Sequence, residues 1–332
     1  MELTYTMIYG RWRAGALWAV GVRKGVTMAA IAPPRTARRR FSEEKLSGYL
    51  FISPWIIGFM IFTAGPIIAS IYFSFTNYDV VRSPNWTGLD NYRTLLTDDP
   101  LFWKSLANTF IYTAMYVPLH VLVALGLALL LNRVSRAQGI FRTVYYLPSL
   151  TPVVASAYLW LWILNPNDGL LNRTLRFVQL PAPAWTVDPF WLKPTIVIQS
   201  LWGFGGAMII FLAGIKGIPA SLYEAAELDG ANSWQRFRNV TLPMLSGVTF
   251  FVTTVAVING LQVFTQGYVM YDKNGGTKNA ALFAIMYLFK QAFEYFHVGY
   301  ASAIAWLLFL VILALTLIQF RVSRRWVSTE VE

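Results

Sequence analysis

Cysteine is absent from the 332 residues. No disulfide can staple such a chain, and no thiolate can act as a nucleophile or metal ligand. Histidine is nearly absent: His120 and His297 are the only two, too few for a histidine-rich metal site. Charge is scarce at 13 % of residues, about half the share of an ordinary soluble domain. No glycine-rich phosphate loop of the GxxxxGKS/T type occurs, so the chain does not hydrolyse ATP by that route. No cluster of His, Asp and Glu marks a catalytic centre, and no catalytic residue, metal or cofactor is assigned. Apolar residues fill the space these absences leave, at 56 % of the chain with 16 % aromatic. Much of such a surface must be covered by lipid. The net charge of +11 raises nucleic acid as a partner, but a nucleic-acid module is not apolar over most of its length. Anionic lipid headgroups attract the same charges.

Between charged residues the sequence opens six uncharged windows, 46–78, 105–132, 143–167, 194–215, 239–271 and 295–320, each of at least 22 residues. About 20 apolar residues in a helix cross the ~30 Å hydrocarbon core. One window alone leaves a buried helix of a soluble protein as the lesser alternative; six together predict six transmembrane helices and an all-α integral membrane protein. Aromatic residues near the window ends, among them Tyr72, Phe73, Trp160, Trp162, Phe320 and Trp326, fit an interfacial belt. The apolar stretch 14–22 is too short to span.

Placing the N-terminus in the cytoplasm puts 18 of the 27 Lys and Arg on the inner side, the bias expected for N-in, C-in topology. Arg38, Arg39, Arg40 and Lys45 precede the first window, and Arg321, Arg324 and Arg325 follow the last. The expected organisation is a basic, largely disordered cytoplasmic tail over 1–45, a six-span region over 46–326, and a short cytoplasmic tail over 327–332. Met28 offers an alternative start. Outside the windows, Pro100-Leu101-Phe102-Trp103 reads as an interfacial turn and Asn165-Pro166-Asn167-Asp168-Gly169 as a tight turn.

The cytoplasmic segment 218–245 reads as two short helices and a turn. Ser221 and Glu224 have the spacing of a capping box that starts the first. Leu222, Ala225, Ala226 and Asp229 share a face whose alanines let a partner backbone approach closely. Gly230 suits a helix C-cap, Ser233 suits the cap of the second helix, and Pro243 prevents a smooth run into the fifth span.

Glu224-Ala225-Ala226, Asp229-Gly230-Ala231 and Leu242-Pro243 resemble the EAA loop of bacterial ABC importer permeases in residue type and spacing. The likeness extends over roughly 45–326 and is strongest to sugar-class permeases of the maltose and glycerol-3-phosphate type. It is carried also by Ser74-Phe75-Thr76, Gly88-Leu89-Asp90-Asn91-Tyr92, Gly169-Leu170-Leu171-Asn172, Asn274-Gly275-Gly276 and Gly299-Tyr300-Ala301. Gly247 and Thr277 stand where that family usually has proline. The resemblance implies a type I importer permease in the bacterial cytoplasmic (inner) membrane. Its expected partners are a second homologous six-span permease subunit, two cytoplasmic ATPase subunits that hold ATP and Mg, and an external solute-binding protein that delivers a sugar, oligosaccharide or related polyol. It also implies that Glu224, Ala225, Ala226, Asp229, Gly230, Ala231, Leu242 and Pro243 couple the chain to the ATPase.

For a substrate pathway, Asn259, Gln262 and Gln266 in the fifth window sit at i, i+3 and i+7, one face of a continuous helix. Amides are costly against lipid, so they line a wet cavity or join helices by hydrogen bonds. In the fourth window Gln199, Trp202 and Gly206 repeat the spacing, beside Gly203 and Gly205, and those glycines equally suit a close helix contact. His120 reads as a hydrogen-bonding group within the bundle rather than a proton relay. An ion-driven secondary transporter is the alternative class, although uncharged spans offer no coupling residue. Within importers, glycerol-3-phosphate or its diesters are the alternative cargo.

Overall fold

A computed structural model describes residues 37–134 and 137–324, with side chains from residue 47 onward. The stretch 14–22, the tail ahead of residue 37, the last tail and Trp326 lie outside the described residues. Among those described, every regular element is helical, and Thr76 and Trp86 form one isolated antiparallel bridge. The all-α class expected from the windows is the class that forms.

The helices are, in order, α1 (Ala37–Phe59), α2 (Gly65–Ser74), α3 (Asp90–Thr97), α4 (Pro100–Arg133), α5 (Gln138–Tyr146) and α6 (Val153–Ile163). Then come α7 (Leu170–Phe177), α8 (Pro189–Leu201), α9 (Gly205–Lys216), α10 (Ala220–Leu228), α11 (Ser233–Arg236) and α12 (Leu242–Met244). The last are α13 (Ser246–Leu261), α14 (Thr265–Tyr271), α15 (Ala284–Phe289) and α16 (Val298–Ser323). The chain divides into two compact units, residues 1–60 and 61–332. In the first, α1 leaves Phe51 and Trp55 exposed, and Trp55 stacks on Phe59 with ring centroids 5.5 Å apart.

In the second unit α4 is the central pillar. At about 1.5 Å per residue its 34 residues reach well beyond the ~30 Å apolar slab. The stretch Pro100–Trp103 is therefore the first turn of a long helix, not an interfacial turn. Asp99 caps it, its Oδ1 accepting from Phe102 N at 2.9 Å, and Pro100 sits where a missing N–H costs nothing. Helix α4 packs against α8, α9 and α13, and α16 packs against α2, α3 and α13. Two apolar cores lie along α4. Phe102, Leu106 and Tyr112 join Leu192, Ile196, Phe283 and Met286 in one, and Ala124, Leu125 and Leu131 join Met208, Phe211 and Leu245 in the other.

Three of the six windows fall on single helical stretches long and apolar enough to cross a membrane: Ser47–Ser74, Pro100–Arg133 and Val298–Ser323. The other three are bent pairs rather than single helices. Gln138–Leu150 meets Val153–Ile163 at 96°, Pro189–Leu201 meets Gly205–Lys216 at 53°, and Ser233–Met244 meets Ser246–Leu261 at 66°. Pro148 and Pro152 account for the sharpest bend, since proline withholds the N–H that would continue a helix. Hydropathy counts apolar residues and carries no information on direction, so these breaks are not visible in it.

Candidate functional site: a solvent-facing knuckle and a polar seam

The segment between α9 and α13 forms the compact knuckle expected of it, with different caps. Pro219 precedes the first residue of α10 and no side chain caps that end. Ser221 therefore lies inside the helix, and the Ser221–Glu224 box does not form. The C-terminal end is as expected. Gly230 has φ +78°, its N–H donates to Glu227 O at 3.0 Å and Ala231 N–H to Ala226 O at 2.9 Å. This is the paired bonding by which a left-handed residue closes a helix, a conformation glycine adopts without a Cβ clash. The second helix is capped by Asn232, not Ser233. Asn232 Oδ1 accepts from Gln235 N at 2.9 Å and Gln235 Oε1 accepts from Asn232 N at 2.8 Å, a complete reciprocal box.

Two cross-links hold the knuckle. Arg236 pairs with Glu227, and the Tyr223 and Thr241 hydroxyls lie 3.0 Å apart. Tyr223 and Ala226 turn inward, while Glu224, Ala225 and Leu228 share the outward face. Leu228 is 90 % exposed, an unusual setting for a leucine and one that the sequence analysis did not single out. Ala226, Asp229, Gly230 and Ala231 line one concavity of about 330 Å³ with Gln235 and Asn239. Leu242 and Pro243 start α12, and the chain turns at Leu245 into α13.

The expected pathway residues separate into two groups. Helix α13 ends at Leu261, Gln262 is its C-cap, and Phe264 has φ −140° and ψ −67°. The continuous helix that would put Asn259, Gln262 and Gln266 on one face is thus broken before Gln266, which belongs to α14. Asn259 and Gln262 are exposed and Gln266 is half-buried. The chain likewise turns between Trp202 and Phe204, so Gln199 and Gly206 lie on different helices. Gln199, Trp202 and Gln266 nevertheless meet, lining a cavity of about 100 Å³ with Ser149, Ser156 and Ser200. Of the nearby glycines, Gly205 is the close contact: a Cβ there would lie 2.8 Å from Tyr145 O.

Gln199 is only 4 % exposed and does both jobs left open for it. Its Nε2 donates to Ser156 Oγ at 3.2 Å, Ser200 Oγ donates to its Oε1 at 3.4 Å, and Tyr112 OH donates to Ser200 Oγ at 2.8 Å. The chain of bonds joins α4, α8 and α6 and forms one wall of the cavity. His120 makes no comparable bond. Its Nδ1 is buried without a partner among the described residues and its ring lies 5.0 Å from that of Tyr116, in place of the expected bundle hydrogen bond.

Motifs far apart in sequence come together at the other end of α4. Asn91 Nδ2 donates to Ser74 O at 2.9 Å and Thr76 O at 2.8 Å, Tyr92 OH donates to Ser74 Oγ at 2.9 Å, and Gly299 N donates to Tyr78 O at 2.9 Å. Asp99 Oδ2 accepts from Tyr287 OH at 2.6 Å and Tyr300 OH at 2.5 Å. Burial, and then the Asp99 carboxylate beside it, push the Tyr287 phenol above its ordinary range. Asp99 was not singled out in the sequence. A lone aspartate before a proline signals a helix cap and gives no sign of two tyrosines brought in from residues 287 and 300.

Residues 120–328 match the family model described as the binding-protein-dependent transport system inner membrane component. The chain is 42 % identical over 294 residues to the probable ABC transporter permease protein YesP of Bacillus subtilis (strain 168), covering 88 % of this chain and 95 % of that protein. It is 33 % identical to the lactose transport system permease protein LacF of Rhizobium radiobacter, over 87 % of this chain and 97 % of that one. Among solved structures, a chain of a bacterial ABC transporter involved in the import of alginate has the same fold, with TM-score 0.77, 24 % identity, and coverage of 87 % of this chain and 99 % of that chain. The apolar helices agree with these likenesses, and the chain belongs to the binding-protein-dependent transport system inner membrane component family, a transport permease rather than an enzyme.

Proposed function

We propose that this chain is one six-span subunit of an ATP-driven importer for a sugar, oligosaccharide or related polyol, oriented N-in and C-in in the inner membrane. It pairs with a second homologous permease subunit, receives its cargo from an external solute-binding protein, and answers to two cytoplasmic ATPase subunits through residues 218–245. One observation carries the coupling role: the knuckle is closed at Gly230, boxed at Asn232 and cross-linked by its own residues, yet holds Glu224, Ala225 and Leu228 outward. A rigid element with an uncovered face is suited to seat in a partner, and Leu228 is the apolar side chain that this face offers. Neutral amides and serines at the α6–α8–α14 cavity suit hydroxyl-rich cargo. The lactose permease relative supports the sugar class over a phosphate ester.

Motion follows from the same geometry. Closure of an ATPase pair moves the knuckle, and the knuckle continues directly through the π-helical turn Phe237–Thr241 and α12 into α13. Leu228→Asp tests the seat. The substitution removes an exposed apolar group, so the permease pair should insert and fold normally while copurifying ATPase falls at least tenfold and uptake is lost. Wild-type ATPase recovery and wild-type uptake in this variant would overturn the assignment.

A further inference from the structure

A cavity of about 520 Å³ lies beside the Asp99–Tyr287–Tyr300 cluster, within the roughly 300–1,000 Å³ span of small-molecule sites. It is separate from the small cavity at Gln199. Its wall carries rings from Tyr78, Tyr295, His297 and Tyr300, the carboxylates of Asp98 and Asp99, and the amides of Asn77 and Asn91. Among the described residues no lysine or arginine lines it, which is unfavourable for phosphate esters or other anions.

The hydrogen-bonding groups are unequally used. Both Asn91 N–H donors are taken by Ser74 O and Thr76 O, leaving its oxygen to accept. The Asp98 carboxylate is exposed and bonds no described residue. Asp99, Tyr287, Gln291 and His297 form a continuous chain, with Gln291 Nε2 donating to Tyr287 OH at 2.8 Å and His297 Nδ1 3.2 Å from Gln291 Oε1. A rigid, acceptor-rich wall faced with aromatic rings matches a neutral ligand that offers many O–H donors and apolar C–H faces.

We propose that this cavity is a saccharide site at the external mouth of the permease, which holds a hydroxyl-rich end of the cargo before it reaches the interior. The inference rests on the importer reading and on its N-in orientation. Asp99, Tyr287 and Tyr300 fix the wall by joining α4, α15 and α16. Asp98, Asn91 and Tyr295 meet the ligand.

The absence of native cysteine makes the site addressable. Thr94→Cys places a thiol on the cavity wall at an exposed position. Labelling of this chain by a membrane-impermeant maleimide is followed in spheroplasts that hold the full complex but no binding protein. Lactose, maltose and choline are each added at about 10 mM, well above the ~1 mM dissociation constant of a weak site. The expected result is labelling from outside, slowed at least fivefold by lactose or maltose and not by choline, with protection lost in Thr94→Cys chains that also carry Asp98→Asn and Tyr295→Ala. Three outcomes overturn the site: labelling only after lysis, protection by choline alone, or protection by neither sugar. Protection only on adding back the binding protein also overturns it, in favour of a protein-docking pocket. Uptake of the same radiolabelled sugars with the binding protein present is measured in parallel. Uptake without protection removes this site and leaves the importer reading standing. Absence of sugar uptake removes the sugar reading itself and the site with it.

Discussion

His120 is 9 % exposed within α4 and its Nδ1 meets no donor or acceptor. Burying a polar nitrogen without a bond costs about 1–3 kcal/mol, whereas replacing it with an apolar group of similar shape is neutral or stabilising. His120→Leu should therefore leave the unfolding temperature of the purified complex unchanged or higher and leave uptake intact. A proton-carrying role would instead abolish uptake in this variant. The contrast with Gln199 explains what a sequence window reveals at this scale. Both residues are single polar groups in apolar runs, and both point inward as the cost of facing lipid demands. Which of them finds a partner depends on Ser156 of α6 and on Tyr112 of α4, which fixes the adjacent Ser200, residues on other helices whose proximity no spacing encodes.

At the scale of elements, the knuckle contains two matches to one local pattern. Ser221-x-x-Glu224 and Asn232-x-x-Gln235 both have a capping-box spacing, and only the second is used. Pro219 decides the first: the helix begins at Ala220, so Ser221 is already inside it. Asn232→Ala should cost about 0.5–2 kcal/mol, read as a lower unfolding temperature and weaker ATPase association, while Ser221→Ala should change neither. Equal effects of the two would restore Ser221 as the cap. The C-terminal stop at Gly230 was legible because a glycine after a helical run has few alternatives. The broken fifth window was not, because α13 ends at Leu261 with no proline to mark it. Asn259, Gln262 and Gln266 keep a helical spacing across a break that shows in the backbone at Phe264, whose ring packs on Tyr268 and Phe289.

For the whole molecule, composition and charge carried most of the information, since an apolar all-helical chain follows from six long uncharged windows whatever the bends within them. The bends raise a question of path that hydropathy does not reach: a pair at 96° either crosses the membrane or turns back within it. Single thiols on the cysteine-free chain answer it in order. Ile140, Phe177, Trp234 and Tyr295 are all exposed: Ile140 lies in the first turn of the first bent pair, Phe177 between the first and second, Trp234 in the first turn of the third, and Tyr295 after it. If each pair is one span and the N-terminus is inside, cysteines at 140 and 234 label with an impermeant maleimide only after permeabilisation, and those at 177 and 295 label in intact spheroplasts. Trp234→Cys is read in cells making the permease pair without ATPase, so that the knuckle is uncovered. Like labelling at 140 and 177 would make α5–α6 a re-entrant pair, and like labelling at 177 and 234 would do the same for α8–α9. Either result leaves an odd number of crossings, puts the termini on opposite sides, and removes the charge bias of 18 inside Lys and Arg as the determinant of topology. The alternating pattern, in contrast, places the knuckle and the tyrosine-lined cavity on opposite faces of the membrane, as an importer needs when energy enters from one side and cargo from the other.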